Sequence, residues 1–189
     1  MLKLANSGGA GSTQAWAQQM LEPGIACILD CETTDLDGAI IELAIIDAAT
    51  GNTLFDSLID PGGIAIAPEA ARVHGIEASD LLGAPMWPEI FPEIADIRAS
   101  RITLAYNAPF DQGRIIAECH RYGLNPDHLG IAEQWQCVMA RRSQTLGITD
   151  HLKLAGGHRA HSDVTATHQI LREIARHGIV LADRTLHLT

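Results

Sequence analysis

Apolar residues cluster in three short runs near the start of the chain and recur at helical spacing farther on. Ile25–Cys31 is almost wholly apolar, Ala39–Asp47 nearly so, and Thr53–Ile59 follows the next turn as a short, largely apolar run, so each predicts a strand. Asp35-Leu36-Asp37-Gly38 and Ala48-Ala49-Thr50-Gly51-Asn52 have turn composition, which makes the three strands an antiparallel meander. Ahead of them, Ser12 is placed to cap a short helix through Met20, with Trp16 and Met20 on one side, and Glu22-Pro23-Gly24 stops it.

Beyond Pro61-Gly62-Gly63 the period changes. Pro68 starts a short helix to Arg72 or Val73, and Ser79 is placed to cap another turn. Met86–Ser100 predicts a helix with Trp87, Ile90, Phe91, Ile94 and Ile97 apolar, although Pro92 sits inside it. Ile102–Ala105 reads as a buried strand, and Pro109 opens a helix to Tyr122 closed by Gly123. Trp135–Val138 predicts a strand, Met139–Leu146 a helix ended by Gly147, and Ala160–His177 a final helix ended by Gly178. A strand meander followed by strand–helix alternation implies the α/β class: a mixed sheet flanked by helices. The expected organisation is a loose N-terminus over residues 1–10 and one domain over 11–189.

The composition, 47% hydrophobic and 19% charged, is that of an ordinary globular protein. No apolar run approaches the ~20 residues that span a bilayer, and the first residues lack a secretory core, so a cytoplasmic protein without membrane contact is expected. Cys27, Cys31, Cys119 and Cys137 form no CxxC pair and predict buried thiols. A net charge of -10 argues against coating long duplex nucleic acid, but not against gripping a few nucleotides.

Three places carry candidate chemistry. Asp30 and Glu32, two apart at the end of a strand, project from the same face. Side by side and buried they repel, and a divalent cation removes that cost; the plainer alternative is two loop carboxylates in water. Asp111 lies in the first turn of a helix that follows a strand, where sites form in α/β sheets, or where it merely complements the helix dipole. In Gly156-Gly157-His158-Arg159-Ala160-His161-Ser162-Asp163, His158 and Asp163 would stand ~140° apart on a continuous helix. They converge only if His158 occupies a loop, which the glycines allow. His161 is the competing histidine, but on a helix it faces away from Asp163 and ranks lower.

The order of these pieces, DCETT after a strand, NAPFD opening a helix and HRAHSD before the last helix, with VHGI between the first two, resembles the DnaQ-like (DEDDh) 3′–5′ exonuclease family over about residues 25–177. The resemblance implies a ribonuclease-H-like fold. It further implies that Asp30, Glu32, Asp111 and Asp163 hold two Mg²⁺ or Mn²⁺ ions and that His158 is the general base. The product would be a nucleoside 5′-monophosphate cut from the 3′ end of single-stranded or short DNA or RNA. Thr33, Thr34, His74 and Ile76 match family positions that contact the terminal nucleotide, with Ile76 set against a base. Asn107 and Phe110, beside Asp111, join the candidate substrate contacts, Phe110 with core packing as its other role.

Two positions depart from the family pattern. Asp35-Leu36-Asp37-Gly38 replaces the common Thr-Gly-Leu continuation, leaving Leu36 as the candidate wedge at the terminal base. His161 replaces an apolar residue and brings a second imidazole toward the metals. A proofreading subunit bound to a polymerase is the runner-up, disfavoured because few residues follow Asp163. A non-catalytic nucleic-acid-binding module ranks lower, since all four carboxylates and the histidine are present. The sequence leaves a homodimer open.

Overall fold

The computed structural model describes residues 10–177, so the expected loose segment before residue 10 and the stop at Gly178 lie outside the described residues. The elements run α1 Ala10–Met20, β1 Ala26–Thr33, β2 Ile40–Asp47, β3 Thr53–Leu58, α2 Pro68–His74 and α3 Trp87–Arg98. They continue with β4 Ile102–Ala105, α4 Ala108–Arg121, two single 3-10 turns, β5 Trp135–Cys137, α5 Val138–Leu146 and α6 Ala160–His177.

One five-stranded sheet has the order β3-β2-β1-β4-β5. The meander pairs antiparallel, β1 with β2 and β2 with β3, while β1–β4 and β4–β5 are parallel, as crossover helices require. Helices cover both faces, and the alternation of β1 sorts its side chains between them. Ala26 and Ile28 join the cluster under α1 and α6 with Trp16, Met20, Val164, Leu171 and Ile174. Cys27, Leu29 and Cys31 join the cluster under α3 and α4 with Trp87, Ile94, Ile115 and Cys119. This is the mixed α/β architecture of the ribonuclease-H-like fold.

Boundaries shift at α1 and β1. Ser12 lies inside α1 rather than at its cap, because the helix begins earlier. β1 runs on to Thr33, carried by pairing with β2 across a register shift at Glu32/Thr33. Ser79 sits in a turn, as expected. α3 keeps Pro92 within it, and burial of Trp87, Ile90 and Ile94 offsets the missing backbone hydrogen bond. At its start the Glu89 carboxylate accepts the Met86 N–H at 2.6 Å. All four cysteines are free thiols, three buried and Cys137 partly so.

Candidate active site

β1 and β4 run parallel, so both end at the same edge of the sheet, and the chain leaves β4 through Tyr106 and Asn107 into α4. Asp30 and Glu32 continue the face of Ala26 and Ile28, which is the face that α6 covers. Asp163, in the first turn of α6, meets them there: one carboxylate oxygen from each of the three lies within 4.8 Å of the others. Asp111 belongs to α4 on the opposite face and comes over the end of β1. Its Oδ1 accepts the Cys31 backbone N–H at 3.2 Å and the Cys31 thiol at 3.5 Å. Asp111 thus shares a depression of about 190 Å³ with Asp30, Glu32, Asn107, His158 and Asp163.

Electrostatics follow from the crowding. Burial, and then the charges of Asp111, Glu32, Asp163 and Glu42, hold the Asp30 carboxyl well above its ordinary range. Burial and the charges of Asp163, Glu42 and Asp111 push Glu32 up to about 8. Burial raises Asp111 to about 7 even though its two hydrogen bonds from Cys31 pull the other way. Four gathered carboxylates, with Asp30, Glu32 and Asp111 held above their ordinary range, are hard oxygen donors short of positive charge, a set that fits divalent cations of the Mg²⁺ or Mn²⁺ kind.

The segment before α6 is shaped around Asp163. Gly157 donates its N–H to Asp163 Oδ1 at 3.0 Å and to Ser162 Oγ at 3.2 Å. A side chain on Gly156 would collide with the Asp163 carboxylate, so only glycine fits there. His158 follows with φ of 52°, a left-handed conformation uncommon for a residue with a Cβ, and it is exposed at the rim of the depression. The expected placement of His158 in a loop and Asp163 in the opening turn of the helix therefore holds. His161 does not face the acids: its Nε2 lies 3.0 Å from the Thr53 hydroxyl on β3, on the outside of the helix. Of the two readings open for His161, a second imidazole near the metals or a side chain turned away from Asp163, this placement supports the latter.

Glu42 escaped the sequence reading, although one carboxylate in the otherwise apolar strand IIELAII was its signal. It sits across from Glu32 in the β1–β2 ladder. Arg159 grips it through Nε at 3.0 Å and Nη2 at 2.6 Å, and the Ala160 N–H donates to its second oxygen at 2.9 Å. One buried acid is thereby withdrawn from the cluster and used to fix the start of α6 beside His158.

A second, more apolar cleft of about 350 Å³ opens next to the acids, walled by Glu32, Thr33, Leu36, Val73, His74 and Phe110. Leu36 is 78% exposed at its mouth. His74 is buried, and its Nδ1 accepts the Ile76 N–H at 3.0 Å. Phe110 borders both openings while packing against the core under α3 and α4. Two expected contacts fail. Ile76 is 1% exposed and packs with Ile41 and Leu81, leaving no face for a base. Thr34 is 1% exposed, and its hydroxyl accepts the Ala39 N–H at 2.9 Å, so it closes the turn between β1 and β2.

Comparison with known proteins follows the same outline. A family model described as exonuclease, of the RNase T type, matches residues 27–171. The uncharacterized exonuclease CP81 of Escherichia phage 186 is 30% identical over 142 residues, covering 73% of this chain and 71% of that protein. The DNA polymerase III subunit epsilon of Pasteurella multocida is 33% identical over 116 residues, 55% of this chain but only 45% of the subunit. Among solved structures, the nuclease domain of 3′hExo, a DEDDh family member bound to rAMP, superposes with a TM-score of 0.55 at 14% identity. The match covers 79% of this chain and 90% of that one.

Proposed function

The chain belongs to the exonuclease family of the RNase T type, and on that premise we propose a metal-dependent 3′–5′ exonuclease of DEDDh pattern that trims single-stranded or short DNA or RNA to nucleoside 5′-monophosphates. One observation carries the reading. Asp30, Glu32 and Asp163 gather their oxygens within 4.8 Å, and Asp111 enters the same depression from the other face of the sheet. Those four side chains would hold two divalent ions. When bound, such ions supply Lewis acidity to activate a water and to stabilise the departing 3′-oxygen.

The remaining work falls to the chain itself. A ring nitrogen of His158 takes the proton of the attacking water, a role imidazole fills more often than any other side chain. The apolar cleft beside the acids has room for one nucleobase against Phe110 and Val73, with Leu36 at its mouth to part the terminal base from its neighbour. Asn107, exposed at the start of α4, stands at the rim where the adjoining phosphate passes. Cleavage from the free end follows from the shallow depression, which admits a terminus more readily than a continuous duplex.

The test is mononucleotide release from oligonucleotides labelled at either end, with Mg²⁺ and with EDTA, on matched DNA and RNA. Stepwise shortening from the 3′ end that EDTA abolishes is the expected result; no release, or cleavage within the strand, overturns the reading. A second reading, a proofreading subunit, is favoured by similarity to polymerase proteins such as the Pasteurella subunit, of which the matched part is less than half. Co-purification with a polymerase would establish it.

A further inference from the structure

Residues 148–159 form an irregular segment whose far end carries His158. Ordering such a segment costs backbone entropy, so the groups that hold it decide how well the imidazole is placed. Side chains of α5 and the end of β4 hold its near end. Ser143 Oγ donates to the Asp150 carbonyl at 2.9 Å, and Arg142 Nη1 reaches the Lys153 carbonyl at 3.4 Å. Between these two, the Tyr106 hydroxyl donates to the Leu152 carbonyl at 2.5 Å.

The polarity of that contact is fixed. Arg142 Nη1 also donates to the Tyr106 oxygen at 3.0 Å, and a guanidinium can only donate. The hydroxyl proton is therefore left for Leu152. Tyr106 is itself tightly set: the Met139 N–H and the Cys137 thiol both donate to its carbonyl, and Asn107 and α4 follow it directly. One phenol thus ties the element that delivers Asp111 to the segment that delivers His158. Leu154, just past the tie, packs against the core under α6 and lines the depression that His158 borders.

We infer that Tyr106 is a positioning residue for His158, acting through the Leu152 carbonyl with Arg142 as the donor that orients it. The inference rests on the role proposed for His158, and its experiment separates the two. Tyr106→Phe removes one oxygen and keeps the buried ring. In the full chain, amide hydrogen exchange over residues 149–158 should speed up at least fivefold while the sheet and α6 keep their protection. Turnover should fall ~10-fold with KM and the Mg²⁺ concentration for half-activation within twofold, since small misplacements of a reacting group carry costs of this order. In a His158→Ala background the same change should alter turnover less than twofold.

Unchanged exchange in the segment overturns the inference. So does unchanged turnover of Tyr106→Phe, or an equal loss in both backgrounds, which is what a merely structural role produces. A wild-type chain that releases no nucleotide defeats the proposed function instead, and exchange alone then decides whether Tyr106 orders the segment.

Discussion

Gly156 and Asp163 occupy each other's space: the Asp163 carboxylate lies where a side chain on residue 156 would begin. The approach lets the Gly157 N–H reach the same carboxylate, which also contributes an oxygen to the group with Asp30 and Glu32. Gly156→Ala should therefore displace Asp163 and lower turnover ~10²-fold, the scale of a 1 Å misplacement. Gly113→Ala, within α4 where the added methyl meets nothing within 4 Å, is the control, and steady-state assay of both variants checks the contrast.

The acids should trade stability for chemistry. Neutralising Asp30 relieves repulsion from Asp111, Glu32 and Asp163, so Asp30→Asn should raise the melting temperature of the metal-free protein. It should also abolish turnover and erase the rise in melting temperature that Mg²⁺ gives the wild type. Thermal unfolding with EDTA and with Mg²⁺ measures both effects.

Raised carboxylate pKa values set a pH dependence with a definite sign. Glu32 and Asp111 titrate near 8 and 7 in the folded chain, against ordinary values of 4.5 and 3.8 once unfolded. The folded state binds more protons between those limits, so this contribution is most favourable below pH 4 and is lost as pH rises through 7 to 8. In EDTA the melting temperature should fall from pH 5.5 to pH 8.5. Saturating Mg²⁺ should flatten that fall, because cation binding selects the ionised form.

The two histidines of the last motif should separate cleanly. His158→Ala is expected to cut turnover ~10²–10⁴-fold while leaving the Mg²⁺-induced thermal shift in place. His161→Ala loses only a surface contact to Thr53 and should keep turnover within twofold. Single-turnover assays resolve the pair.

Ile76 tests the corrected assignment. Buried with Ile41 and Leu81, it should cost about 2–5 kcal/mol of stability when cut to alanine, with KM unchanged below the new melting temperature. A higher KM without loss of stability would return Ile76 to the substrate.

What could be read from the sequence was what local pattern controls. Alternation along β1 put Asp30 and Glu32 on one face, and the glycine pair put His158 off the helix, because both depend on neighbours in the chain. Helical spacing turned His161 away from Asp163 but could not name Thr53 as its partner. Asp111 illustrates the limit: it reaches the site from the opposite face by bonding the Cys31 amide, a contact between elements far apart in the chain. Glu42 and Tyr106 escaped for the same reason. Their roles lie in partners, Arg159 and Leu152, that only the assembled sheet and helices bring near. Ile76 and Thr34 show the converse, since similarity of motif marked their positions while burial decided what their side chains can touch.

The topology also orders events in time. Strands β1, β2 and β3 pair with their immediate neighbours and can zip up early, yet the last carboxylate arrives on α6, the final described element. A chain still emerging from the ribosome carries Asp30 and Glu32 with nothing to complete them. The candidate site is thus incomplete in every nascent intermediate that lacks α6.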